Sequence, residues 1–409
     1  MNEQITKQEH DKYAVFSIKW IYIVLAVALG LRVYYIVTTA FPPLEGDAFG
    51  YDKMARQFLE TGVLGYLKTT PNAFVMPGFP LLLSLVYFVF GTNLIWFQLL
   101  QVVFSVVTIL VVYKISQKFM KESYCLLCAA IMAIYPSFIY ANGLLLTEVS
   151  FTLLTALFFW TLLLGIESGR RFHFVLSGVC LGLSVMFRPT LATLIIPIIV
   201  YFMMQIPSRK RIYQAILYVG LSSFVIVLPW WIRNFLLYGE FVLFTTSGGN
   251  PLLYGVHPYL IGVRDTFDAV YKLNADELTR NQLWSDKAKE MFAAQIDNVL
   301  FIKWIVFGKM NVFWKLPWVE NGEIAHLLEK LRNPLHLVLV IGGWIGIWLS
   351  VIRRSPLQWI AVMVISYTIL HQVMLSIPRY AFPVMPFVIV MFVYMVSSID
   401  DLLRKRFAR

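Results

Sequence analysis

Charge is what this sequence has least of. Only 14% of its 409 residues are Asp, Glu, Lys or Arg, against about 25% in soluble domains. In their place, 59% of residues are hydrophobic and the mean hydropathy is +0.71. One water-soluble core cannot hide that much apolar surface, so a bilayer is the expected solvent. Cysteine is scarce as well: three residues exclude a disulfide-dense secreted scaffold. Cys125 and Cys128 have a metal or redox spacing but no companion ligands, and read as small buried residues. The six histidines are scattered without ligand spacing. Neither a phosphate-cradling GxxxxGK loop nor a GxGxxG turn occurs, so nucleotide chemistry has no evident home. The polar start of the chain leads into a full-length apolar run without a small-residue cleavage site, so no cleavable signal peptide is expected.

What is abundant is long apolar runs and aromatic residues, which make up 16% of the chain. A helix needs roughly 17–25 mostly apolar residues to cross the hydrocarbon. Ten segments are good candidates: Ile18–Phe41, Leu94–Lys114, Tyr124–Tyr140, Leu144–Ile166, Phe172–Phe187, Thr190–Ile206, Ile212–Ile232, Leu335–Ile352, Trp359–Ile377 and Tyr380–Ile399. The expected fold class is therefore an all-α polytopic membrane protein of about ten transmembrane helices plus interfacial ones. Pro80–Phe90 is apolar but short, and is expected to be re-entrant or interfacial. Asn298–Trp318 interleaves apolar residues with Lys303, Lys309 and Lys315, the pattern of a helix lying in the interface plane. Asn274–Gln295 is polar and helix-forming, with Asn274 and Asp276 as N-cap candidates.

The net charge of +11 would suggest nucleic acid in a soluble protein. Here it is a topology signal. Segments 1–19, 114–122, 167–171, 207–211, 353–354 and 400–409 hold 17 Lys and Arg against 7 Asp and Glu; all other residues hold 17 against 16. The positive-inside rule then places both termini in the cytoplasm, with no call for a nucleic-acid partner. The chain divides into a cytoplasmic tail (1–17), a transmembrane module (18–232) with a long first outer loop (42–93), a second outer region (233–333), and C-terminal helices with a basic tail (334–409).

Ionisable residues inside spans mark function. Arg32, Glu148, Arg188 and His371 all fall near outer helix ends, which favours chemistry at the outer interface over a transmembrane transport path. In the first outer loop, Asp47 and Tyr51 share a helical face and Asp52 stacks with Arg56. The plain reading makes Asp47 an N-cap and the latter two a surface pair; the functional reading makes Asp47 a general base. Glu148 opens an apolar helix, where it either complements the helix dipole or acts in a site. Arg188-Pro189, Arg233 after Pro229-Trp230-Trp231-Ile232, and Pro378-Arg379-Tyr380 place arginines at outer ends. Arg233 reads as an interface anchor, while arginine in general matches phosphate oxygens through paired hydrogen bonds.

Several features in order resemble a known family. They are Gly46-Asp47 with Tyr51, Met76-Pro77-Gly78-Phe79-Pro80, Thr147-Glu148, Phe187-Arg188-Pro189, Pro229-Trp230-Trp231-Ile232-Arg233-Asn234 and Pro378-Arg379-Tyr380-Ala381-Phe382-Pro383. Together they resemble the GT-C superfamily of integral-membrane glycosyltransferases, nearest the protein O-mannosyltransferases and aminoarabinose-transferase-like enzymes. The resemblance implies transfer of a sugar from a polyprenyl-phosphate donor to a hydroxyl acceptor (protein, lipid or wall polymer) on the outer face of a cell membrane. It implies Asp47 and Glu148 as catalytic acids, Arg379 and Arg188 at the donor phosphate, and Tyr51 and Tyr380 at the substrate. No cofactor is certain, and a divalent metal stays open. Also open are a flippase of polyprenyl-linked sugars, a ligase using a diphosphate-linked donor, and a non-catalytic assembly factor.

Overall fold

The computed structural model describes residues 2–206, 208–318 and 325–407, with side chains from 19 onward apart from 325–332. Among the expectations above, those for Met1, Arg409 and residues 319–324 of the second outer region lie outside the described residues. The described chain is helical, with no strand among those residues. In order the helices are α1 (Asn2–Thr38), α2 (Gly46–Thr61), α3 (Gly78–Phe90), α4 (Leu94–Ser116), α5 (Glu122–Ile134), α6 (Pro136–Tyr140), α7 (Glu148–Ser168), α8 (Arg171–Phe187) and α9 (Thr190–Gln205). They continue as α10 (Arg209–Tyr238), α11 (Gly249–Gly255), α12 (Val263–Tyr271), α13 (Glu277–Gln295), α14 (Val299–Lys303), α15 (Lys309–Phe313), α16 (Ala325–Ile352), α17 (Gln358–Val373) and α18 (Met385–Phe407).

Each of the ten expected spans coincides with helix, but not all are long enough alone. Among the described residues, six helices have the length and apolarity to cross a membrane: α1, α4, α7, α10, α16 and α18 with the turn before it. Three others, α8, α9 and α17, have only 17, 16 and 16 residues. At 1.5 Å per residue they fall short of a hydrocarbon core of about 30 Å. The tenth, Tyr124–Tyr140, is broken by 57° between α5 and α6. Pro136 causes the break: it has no N–H to bond the carbonyl of Met132, and it pushes Tyr135 into an extended conformation.

That break explains Arg32. Its fully buried guanidinium donates to Met132 O (3.1 Å) and Ala133 O (2.9 Å), the carbonyls left over by the broken helix, and to Ser105 Oγ (2.8 Å). Arg32 is therefore a plug for orphaned backbone, a use of charge that a buried site requires.

The second outer region departs from its expectation at one residue. Asp276 does cap α13, accepting from the N–H groups of Leu278 and Thr279 at 3.0 Å each. Residues 299–313 are helical with a π-turn between α14 and α15, and α13 meets this stretch at 117°. Lys303 and Lys315 are exposed, as an interfacial helix requires. Lys309 is instead wholly buried.

Small residues set the helix spacing that positions the site. Gly178 and Gly182 face α10, where a Cβ on Gly178 would lie 2.4 Å from Val219 O and one on Gly182 2.7 Å from Ile226 Cβ. Their GxxxG spacing lets two backbones touch, and α8 carries Arg188 at its far end. Gly178→Leu is expected to lower the thermal midpoint in detergent through overpacking of about 1–3 kcal/mol; an unchanged midpoint would contradict this close seam.

The two ends of the bundle differ in chemistry. At one, Lys118 pairs with Glu167 (2.5 Å), Lys121 with Asp401 (3.7 Å), and Arg211 bonds Ile166 O (2.9 Å), gathering the basic loop residues. The acids and arginines singled out above lie at the other.

Candidate active site

Four separate parts of the chain converge at that end. Asp47 stands in the first turn of α2, Glu148 opens α7, Arg188 follows α8, and Arg379 sits in the short 3₁₀ turn Pro378–Val384 between α17 and α18. Arg379 Nη2 is ion-paired with Asp47 Oδ2, and its Nε lies 3.9 Å from Glu148 Oε1. Arg188 Nη2 is 2.5 Å from the same Glu148 oxygen, while its Nε donates to Thr147 Oγ1 at 2.5 Å. Both guanidiniums lie over the ring of Tyr380, at 5.2 Å for Arg188 and 5.6 Å for Arg379. Tyr51 packs on Phe79 (4.9 Å) and Tyr66 (5.9 Å) at the edge of the group. All six residues expected at the site from the sequence are thus neighbours.

The expectations for the surrounding residues fare unevenly. Asp47 is not the N-cap: Glu45 occupies that position without a side-chain cap bond, and the Asp47 carboxylate turns to Arg379 and Tyr66. Asp52 and Arg56 form the expected pair at 2.9 Å, joined by the Tyr87 hydroxyl. Arg233 anchors a loop by donating to Leu64 O (3.2 Å) and lies outside the group. His371 backs the site, its ring 5.4 Å from Tyr380. Cys125 and Cys128 are buried thiols without a disulfide.

Sequence reasoning missed Tyr66, whose hydroxyl donates to Asp47 Oδ1 at 3.2 Å. Nothing local marks it, since the contact depends on how the loop folds back over α2. Burial first, and then the Asp47 charge, push its phenol well above the usual tyrosine range, and Tyr51 is pushed up by the same two causes. Tyr66 therefore stays a hydrogen-bond donor at any physiological pH. Tyr66→Phe is expected to lower any activity that uses Asp47 by about 2- to 10-fold, the worth of one neutral donor. Equal rates in the two proteins would remove Tyr66 from the site.

Electrostatically the two acids and two arginines balance. Their exposure differs, and the difference decides what each can touch: the Asp47 side chain is 41% exposed and Glu148 only 1%. Asp47 can meet a substrate, whereas Glu148 meets arginine. Two guanidiniums carry ten N–H donors between them, and only three hydrogen bonds from them occur among the described residues. The spare donors suit an anion with several oxygens. Among the described residues no three His, Cys, Asp or Glu side chains come together.

The described chain is a helical bundle with a long loop after its first span, an acid in that loop and arginines at the same end. Solved structures agree on the fold. The oligosaccharyltransferase AglB from Archaeoglobus fulgidus, in complex with an inhibitory peptide and a dolichol-phosphate, superposes with a TM-score of 0.60 at 16% identity, over 96% of this chain and 51% of its own. ArnT from Cupriavidus metallidurans bound to undecaprenyl phosphate gives 0.55 at 13% identity, over 94% of this chain and 60% of its own. The chain thus spans about half the length of the first of these relatives. More particularly, residues 71–232 match the family described as dolichyl-phosphate-mannose-protein mannosyltransferase. No curated protein matches the chain.

Proposed function

We propose that this protein is a membrane glycosyltransferase that moves a sugar from a polyprenyl-phosphate donor to a hydroxyl acceptor. The observation that carries the reading is the convergence of an exposed carboxylate, Asp47, with the arginine pair Arg188 and Arg379. In the reaction, the acceptor oxygen attacks the anomeric carbon as the bond from that carbon to the phosphate oxygen breaks. The acceptor proton passes to Asp47, and the phosphate leaves with the bonding electron pair. Displacement from one face inverts the anomeric centre, as in single-base glycoside chemistry. Arg379 and Arg188 stabilise the charge on the leaving phosphate, Glu148 holds the two arginines together, and Tyr51 and Tyr380 line the substrate. The dolichol-phosphate and undecaprenyl phosphate held by the two solved relatives support the donor class.

The reading places the site on the outer face of a cell membrane, with both termini in the cytoplasm, because the basic loops lie at the opposite end of the bundle. The test is purified protein in proteoliposomes with a radiolabelled polyprenyl-phosphate sugar and a panel of hydroxyl acceptors. Label appearing on an acceptor supports the reading. Donor crossing the bilayer with no label transferred makes the protein a flippase instead.

A further inference from the structure

Lys309 is the charged residue for which the site chemistry above has no use. It is 0% exposed, and a buried ammonium survives only if its protons are all taken. They are: Nζ donates to Gln372 O (2.5 Å), Met374 O (2.5 Å) and Gly255 O (3.1 Å). No carboxylate pairs with it among the described residues.

What those carbonyls belong to gives the contact its meaning. A helix ends with four carbonyls lacking intrahelical partners. At the end of α17, His371 O is taken by Ser376 Oγ (2.5 Å), and Gln372 O and the following Met374 O by Lys309. The chain then runs extended through Ile377 into the turn that presents Arg379. Gly255 O ends α11, so one cation closes two helix C-termini, where positive charge is favoured. The fit leaves no slack: a Cβ on Gly255 would lie 2.7 Å from Met374 O and 3.1 Å from Lys309 Nζ.

We propose that Lys309 is a positioning residue for Arg379. It fastens the 372–376 segment to the second outer region, so that the next turn delivers the guanidinium to Asp47 and Glu148. The functional part of this inference rests on the phosphate role of Arg379 proposed above.

The experiment compares wild type, Lys309→Met, Gly255→Ala, Arg379→Ala and the double variant Lys309→Met/Arg379→Ala as full-length protein in detergent. Gly255→Ala pushes on the same carbonyl without removing a charge and serves where Lys309→Met does not fold. Two quantities are read: hydrogen exchange of the 374–380 amides, and the Kd for undecaprenyl phosphate. Lys309→Met and Gly255→Ala are each expected to speed exchange in that segment while α4 and α7 keep wild-type protection. Binding is expected to weaken about 10- to 100-fold, as for a misplaced contact group, and Lys309→Met is expected to add nothing in the Arg379→Ala background. Unchanged exchange at 374–380 overturns the fastening. Additive losses in the double variant overturn the route through Arg379, since a residue serving stability alone adds its effect to any background. Wild type that binds no undecaprenyl phosphate overturns the functional reading instead, and the exchange measurement still decides the fastening.

Discussion

Asp47→Asn is expected to abolish sugar transfer and, at the same time, to bind undecaprenyl phosphate more tightly than wild type does. Loss of transfer follows from removing a general base, worth about 10²- to 10⁴-fold in rate. The tighter binding follows from the ion pair. Arg379 is ion-paired with Asp47, so a carboxylate and an incoming phosphate compete for one guanidinium. Asparagine keeps the shape and can still accept from Tyr66, but gives up the charge that Arg379 must leave. The two side chains are 25% and 41% exposed, so water screens the pair and the gain is held to about 1 kcal/mol, roughly fivefold in Kd. The same exchange frees the Asp47 carboxylate oxygen held by Arg379 to accept the proton of the attacking hydroxyl. Rapid filtration of labelled sugar and a titration with undecaprenyl phosphate measure the two effects. A folded variant that turns over normally, or one that binds the phosphate less well than wild type, would sink this account.

How far the site could be read in advance depended on the scarcity of charge. In a chain with so few ionisable residues, Asp47, Glu148, Arg188 and Arg379 are easily noticed at helix ends, but a cap or a dipole partner explains the two acids equally well, and the family resemblance is what implies a shared site. Which acid pairs with which arginine could not be read: Asp47 and Arg379 are 332 positions apart, and helix packing brings them into contact. Tyr66 and Lys309 were illegible for a related reason. One sits in a loop whose path is set by distant contacts. The other lies in a segment whose lysines alternate as an interfacial helix would, and only the packed structure shows that one of the three turns inward. The helical character and bundle architecture were legible because apolar run length reports on the bilayer directly. The number of crossings was less so, since α8, α9 and α17 are too short to be counted by length.

Arg379→Ala is expected to cost the most binding of any single change at the site. Removing one partner of a hydrogen-bonded charge pair costs about 2–5 kcal/mol, or about 30- to several-thousandfold in Kd for undecaprenyl phosphate. The fold should tolerate the change, because Asp47 is partly open to water and Glu148 keeps Arg188 at 2.5 Å. Arg379→Lys separates charge from shape. A lysine retains attraction for phosphate but cannot span Asp47 and Glu148 as a planar guanidinium does, so it should recover only part of the loss. The sharpest check is the cycle with Asp47→Asn. If the two side chains compete as argued, Asp47→Asn tightens binding only while Arg379 is present, and in the Arg379→Ala background it changes Kd by less than its wild-type effect. Tightening of equal size in both backgrounds would mean that Asp47 repels the phosphate directly. Arg379 would then be one cation among several, not the group that passes from the carboxylate to the donor.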